Sequence, residues 1–242
     1  MSVLTRPAES GERHQMPLAK SPSTGTLAMI HTVPGLIPVL EPLARQNLPC
    51  WATFNMLDES LLRITIREGG LSAATMRRLT CMVWSAVDAG ADAVVVTCSS
   101  LGPAIEAARL LCPVLLFRID EGMAIEAIGT GRRIGVLATL RTTLDPTTNL
   151  IRCTAARLGH DCAITSVLSE GAFERLSQGD AEGHDRMVAQ SLRDLAPQVD
   201  VILLAQASMA RVLPSVREAM GTLPVLTSPE IGMRHLRKAL TA

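Results

Sequence analysis

The chain has 242 residues, of which 23 are basic and 23 acidic, so its formal net charge is zero, and 48% of it is hydrophobic. That is globular composition, long enough for one large domain or two small ones, and with so few aromatics it lacks both the basic face and the stacking platforms of a nucleic-acid surface. No tyrosine is present to act as acid or base, and the two lysines, Lys20 in a polar tail and Lys238 near the C-terminus, are badly placed for a pyridoxal Schiff base.

Residues 1–25 are rich in Pro, Ser, Gly, Glu and Arg and contain no apolar stretch, which reads as a flexible tail and not as a secretory signal. Leu27–Ile30 is an apolar run of strand length, followed by His31-Thr32-Val33-Pro34-Gly35 and a helically periodic stretch to Ala44. Cys50–Phe54 is a second strand-like run, and Ala73–Ala89 is amphipathic with helical spacing. Ala93–Thr97, the strongest strand, is apolar on both faces, as in a parallel sheet covered by helices on each side. Pro113–Phe117 and a helix-like Gly122–Ile128 continue the alternation, so the fold class is α/β, with parallel sheets flanked by helices. Gly129-Thr130-Gly131 precedes a strand instead of following one, which makes it a turn and not a dinucleotide loop. There is no phosphate-binding P-loop, no apolar run of the ~18 residues a membrane span needs, and no CxxC, HxH or HExxH pattern among the cysteines and histidines. A cytoplasmic protein with reduced thiols, no membrane partner, no nucleic-acid partner and no structural metal is expected.

The second half of the chain repeats the first. Thr26–Thr32 aligns with Arg133–Thr139, Cys50–Thr53 with Cys162–Thr165, Ala91–Ser100 with Val199–Ser208, and Cys112–Leu115 with Leu223–Leu226. Four blocks in one order at nearly constant offset point to an internal duplication. Two pseudo-symmetric α/β lobes follow, the first from residues 26–128 plus 218–242 and the second from 129–217. Ligands of open parallel sheets bind where the carboxyl ends of the strands meet the next helices. The site is therefore expected in the cleft between the lobes.

Val94-Val95-Val96-Thr97-Cys98-Ser99-Ser100-Leu101-Gly102-Pro103 is the sharpest signal. Cys98 ends a buried strand, Ser99 or Ser100 can cap the next helix, and Pro103 suits its first turn. Amides and a helix dipole at that point lower a thiol pKa and cradle a carboxylate; the other reading of Cys98 is plain packing. His31 is open to three roles: proton acceptor for the thiol, substrate contact, or a structural one. Thr32 stands at a strand end, and Asp58-Glu59 and Asp120-Glu121 follow two strand-like runs from which they could point into the cleft, although acids at helix starts are common on dipole grounds alone. Thr139, Thr142 and Thr143 suit carboxylate binding or turn chemistry equally. Ser208 mirrors Ser100, and His184-Asp185 reads as a surface pair.

The Thr97-Cys98-Ser99-Ser100 turn, the Arg133–Thr139 strand with its threonine cluster, and the duplicated lobes together resemble the aspartate/glutamate/hydantoin racemase superfamily over roughly residues 26–235. The resemblance implies two pseudo-symmetric lobes, no cofactor, homodimers or higher homo-oligomers, and cysteine acid–base chemistry at the α-carbon of a small carboxylate-bearing molecule. In the racemases one thiol from each lobe flanks that carbon. Cys98 matches the first-lobe thiol, His31 falls near where glutamate-racemase-like members place an Asp-Ser pair that assists that thiol, and Thr139, Thr142 and Thr143 match the family's carboxylate-binding stretch. The second-lobe position is Gln206, which hydrogen-bonds a carboxylate or enolate oxygen but cannot exchange a proton near neutral pH. The expectation is a cofactor-independent racemase- or isomerase-like enzyme with Cys98 and His31 catalytic. Thr32, Asp58, Ser99, Ser100, Thr139, Thr142, Thr143, Gln206 and Ser208 would bind substrate. A single-thiol decarboxylase of the same superfamily and a non-catalytic carboxylate binder are the alternatives.

Overall fold

The computed structural model describes residues 24–241; all but the last two residues of the expected tail lie outside that range. Strands β1 (Gly25–His31), β2 (Trp51–Leu57), β3 (Ala93–Val96) and β4 (Leu115–Arg118) form a parallel sheet in the order β2-β1-β3-β4. Strands β5 (Arg133–Ala138), β6 (Ala163–Leu168), β7 (Val201–Leu204) and β8 (Val225–Thr227) form another in the order β6-β5-β7-β8. The two sheets thus share one topology, and the four aligned sequence blocks fall on corresponding strands.

The strands follow from their side chains. All four residues of β3 are buried, three of them β-branched valines that suit an extended backbone. Alternation then sorts the neighbours: Leu27, Met29 and Val95 pack on one face, Ala28, Ile30, Val94 and Val96 on the other. Each large apolar side chain fully buried this way contributes about 1.5–3 kcal/mol relative to exposure. On the first face lies α1 (Ile37–Asn47); on the other lie α2 (Glu59–Arg67), α3 (Ala73–Asp88) and α4 (Gly102–Arg109). The second sheet carries α6 (Arg141–Leu158) on one face, with α8 (Ala181–Leu195) and α9 (Leu213–Met220) on the other. A short α7 (Ala172–Ser177) precedes α8.

Two helices exchange lobes, α5 (Glu121–Thr130) and α10 (Ser228–Leu240). After β4, α5 buries Met123, Ala124, Ala127 and Ile128 against Ile134, Val136 and Leu203 of the second sheet. After β8, α10 returns and buries Met233, Leu236 and Leu240 against Leu27, Met29 and Phe117 of the first. They cross closely because glycine stands at the contact: a Cβ on Gly122 would lie 2.5 Å from that of His235, and one on Gly232 would meet the Ile119 carbonyl. The expected lobe boundaries at 129 and 218 therefore shift. Chain packing changes sheets at α5, β8 belongs to the second sheet through its pairing with β7, and only α10 rejoins the first lobe. Among the described residues no helix is long and apolar enough to cross a membrane.

Candidate active site

A cavity of about 160 Å³ opens between the carboxyl ends of the two sheets. Each lobe builds its half with the same backbone frame. In the first lobe Ile30 of β1 sits opposite Val96 of β3, so two residues further on Thr32 meets Cys98. In the second, Leu137 sits opposite Leu204, and two residues further on Thr139 meets Gln206. Cys98 and Gln206 both hold extended backbone (φ −121°, ψ 106° and φ −126°, ψ 133°) and both lead into a 3-10 turn, Ser99–Leu101 before α4 and Ala207–Val212 before α9. The correspondence expected from the sequence repeat is thus met in space.

The Cys98 side chain is 8% exposed and lines the cavity. Burial pushes its thiol pKa up, against hydrogen bonds from the Thr32 hydroxyl, the Ser100 and Leu101 amides and the Ser100 hydroxyl. This reverses the expected sign. The amides of the turn do favour thiolate, but removal from water costs the charged form more, so the resting thiol keeps its proton. Opposite it, Gln206 is fixed at both ends of its carboxamide: Oε1 accepts from the Thr139 amide at 2.6 Å, and Nε2 donates to the Thr139 hydroxyl at 2.9 Å. The Ser100 and Thr143 hydroxyls meet at 2.7 Å and tie the first lobe to α6 of the second.

Ser99, Ser100, Thr32, Thr143, Gln206 and Ser208 all line the cavity, together with Cys98. Thr139 stands behind the wall and positions Gln206, so its expected contact with substrate is replaced by a supporting one. Thr142 does not reach the cavity; its hydroxyl is buried without a partner. Asp58 is likewise elsewhere. It caps α2, accepting from the Ser60 amide at 3.0 Å, and pairs with Arg78 at 2.6 Å. Asp120 pairs with Arg118 at 2.9 Å and Glu121 with Arg109 at 2.7 Å, so neither points into the cleft.

His31 is fully buried and outside the cavity, which removes it as direct base for the thiol. Consecutive strand residues face opposite ways, so when Thr32 turns to Cys98 the ring of His31 turns inward. Its Nε2 meets Asn55 Oδ1 at 2.8 Å and its Nδ1 the Thr97 hydroxyl at 2.9 Å, while Asn55 donates to Glu41 at 2.7 Å. Because Asn55 spends its amide hydrogens on Glu41, its oxygen accepts and His31 Nε2 carries the proton. Burial lowers the pKa of His31, opposed by Asn55 and Glu41, and the Thr97 hydroxyl lies between His31 Nδ1 and the Ile30 carbonyl, to which it donates at 3.2 Å. His184, expected at the surface, is also fully buried, with Nδ1 2.8 Å from Asp185.

Val33, Leu36, Leu62, Leu140, Phe173 and Leu176 add apolar wall unforeseen in the sequence, and Thr97, Ala205, Ala207 and Ser228 complete it. Phe173 alone left a local trace, a lone aromatic in an otherwise polar stretch after Gly171. No Asp, Glu, Lys, Arg or His lines this cavity. Nor, among the described residues, do three His, Cys, Asp or Glu side chains converge as a metal site would require.

A family model described as Asp/Glu/hydantoin racemase matches residues 62–236, most of the chain. The chain belongs to that family. No curated protein sequence matches it, but solved structures share its fold. Glutamate racemase from Thermus thermophilus in complex with β-chloro-D-alanine superimposes with a TM-score of 0.70 at 17% identity, over 90% of this chain and 81% of that one. Allantoin racemase from Klebsiella pneumoniae gives 0.63 at 18% identity, over 89% and 87%. Unliganded arylmalonate decarboxylase gives 0.53 at 16% identity, over 90% and 93%. Racemases and a decarboxylase thus share this two-lobed frame.

Proposed function

We propose that the protein is a cofactor-independent enzyme in which Cys98 transfers a proton at the α-carbon of a small carboxylate. The observation that carries this reading is the placement of Cys98: it is the one titratable side chain lining the cavity, with the polar, non-titrating Gln206 in the equivalent place of the other lobe. Carboxylate or enediolate oxygens would be held by Gln206, by the hydroxyls of Ser99, Ser100, Thr143 and Ser208, and by the amides of the turns that begin at Ser99 and Ala207.

With one proton-transfer group, chemistry proceeds from one face. Exchange or isomerisation at that face fits once the thiol has passed its proton to water, the thiolate then taking the α-proton and returning a solvent-derived one to the same face; symmetric two-thiol racemisation does not. A second reading, decarboxylation, draws support from the protonated state of the resting thiol. A malonate-type substrate would lose CO2 and leave its bonding pair as an enediolate, which Cys98 would protonate at carbon before regaining a proton from water.

Incubation of amino acids, hydantoins, malonates and hydroxy acids in heavy water tests both readings by α-deuterium incorporation and CO2 release. Activity should fall by about 10²–10⁴-fold in Cys98→Ala. Full activity in that variant removes the proposal; tight carboxylate binding without turnover in the wild type would make the protein a binder instead.

A further inference from the structure

We infer that the substrate of this cavity is a carboxylate bearing an apolar, uncharged substituent and no ammonium group. This rests on the reading of Cys98 as the proton-transfer residue and deepens it by naming the substrate class.

The electrostatic argument begins with the sheets. In a parallel sheet every strand runs toward the start of the next helix, so several helix N-termini converge on the cleft. The cavity wall includes Leu36 before α1, Ser99 and Ser100 in the turn leading to α4, Leu140 and Thr143 at the start of α6, Ala207 and Ser208 in the turn leading to α9, and Ser228, the first residue of α10. Helix N-termini carry partial positive charge and exposed amides. They favour an anion and disfavour a cation. No acidic side chain in the wall reverses that balance. Of the acids at the strand ends, Asp58 is held by Arg78 and the Ser60 amide, Asp120 by Arg118, and Glu121 by Arg109 and the Arg118 amide, while Glu59 lines an adjoining groove together with Arg63 and not this cavity. An α-ammonium group would enter without a counter-charge, and taking a charge out of water unpaired is strongly unfavourable.

What remains for the rest of the molecule is apolar. Leu36 and Leu62 come from the first lobe, Phe173 and Leu176 from α7 of the second. That short helix is framed by Gly171 (φ +78°) and Gly179 (φ +85°), left-handed turns that only glycine adopts readily and that bring the chain out and back around α7. A cavity of about 160 Å³ is close to the size that accommodates benzene in an apolar interior. A phenyl-sized or branched-alkyl group beside the carboxylate fits those limits.

Calorimetric titration of the full chain at neutral pH with matched pairs isolates the ammonium group: phenylacetate against phenylglycine, and isovalerate against valine, with glutamate as a doubly charged control. The ammonium-free member of each pair should bind on the order of 100-fold more tightly. Phe173→Ala and Leu176→Ala, each checked for an unchanged melting temperature, should weaken phenylacetate by about 10-fold while leaving acetate unaffected. Phenylglycine or glutamate binding as tightly as phenylacetate overturns the inference, as does phenylacetate affinity unchanged in both variants. Cys98→Ser, run in parallel, separates the two claims: binding preference retained with exchange abolished supports both, whereas exchange retained overturns the reaction and not the specificity.

Discussion

The two halves of the cleft are built on one backbone frame and filled with different chemistry. Thr32 beside Cys98 in the first lobe matches Thr139 beside Gln206 in the second, strand for strand and turn for turn. Beside the first pair runs a polar chain, Glu41–Asn55–His31–Thr97, buried at His31 and Thr97 and reaching the cavity at Thr97. Behind the second, the positions equivalent to His31 and Thr97 are Ala138 and Ala205, both buried. Around these two pairs, groups able to hold or lose a proton thus stand in the first lobe, while the second supplies a fixed carboxamide and the apolar wall of α7. The frame sets where a group stands; the residue placed on it sets what that group does.

Restoring the symmetry is the largest perturbation. Gln206→Cys places a thiol opposite Cys98 and should raise exchange at the second face by about 10-fold or more over the parent, read as deuterium entering both enantiomers of a chiral substrate. No gain in a folded variant would mean that the pairing of the lobes does not extend to the reacting atoms.

Removing the first lobe's polar chain should cost stability next. His31→Leu leaves the Asn55 carbonyl oxygen without its donor, at about 1–3 kcal/mol, while the Thr97 hydroxyl keeps the Ile30 carbonyl and the Asn55 amide keeps Glu41. A urea titration following the unfolding midpoint measures it. The reciprocal change in the second lobe, Ala138→Val, disturbs no hydrogen bond and should cost only the strain of overpacking, about 1–3 kcal/mol in all.

A smaller effect comes with pH. Burial holds the His31 pKa below the ordinary imidazole value of 6.5, and the same is true of His235. The unfolded chain therefore takes up protons near 6.5 that the folded chain refuses, so stability is full above that pH and falls as pH drops below it. Unfolding midpoints compared at about pH 7.5 and pH 5.5 should show the loss, with a shallower slope in His31→Leu. A slope unchanged in that variant would place the titration elsewhere.

Much of this was legible in the sequence because it depends on short-range order. The continuous valines of β3, the turn after Cys98 and the repeated blocks specified strand ends, and strand ends specified which residues face the cleft. The equivalence of Cys98 and Gln206 followed from the same alignment. Three features were not legible. The ring of His31 faces inward because its neighbour Thr32 takes the cleft side, and which of two adjacent polar residues faces the cleft depends on the twist and register of β1. The thiol pKa rises because burial, a property of the assembled lobes, outweighs the local amides that the turn motif displays. The apolar wall draws Leu36, Leu62, and the α7 pair Phe173 and Leu176 from three separate segments, and no local pattern says that they meet. Asp58 shows the reverse case, a residue whose local capping role on α2 was visible, and to which the fold adds only an ion pair with Arg78.

The central claim is that the proton is handled from the first lobe alone. Turnover in heavy water, with the configuration of the labelled carbon determined by chiral separation and NMR, tests it most directly. Delivery from Cys98 predicts deuterium on one face only and a single labelled enantiomer. Equal labelling of both enantiomers at early times would contradict the account.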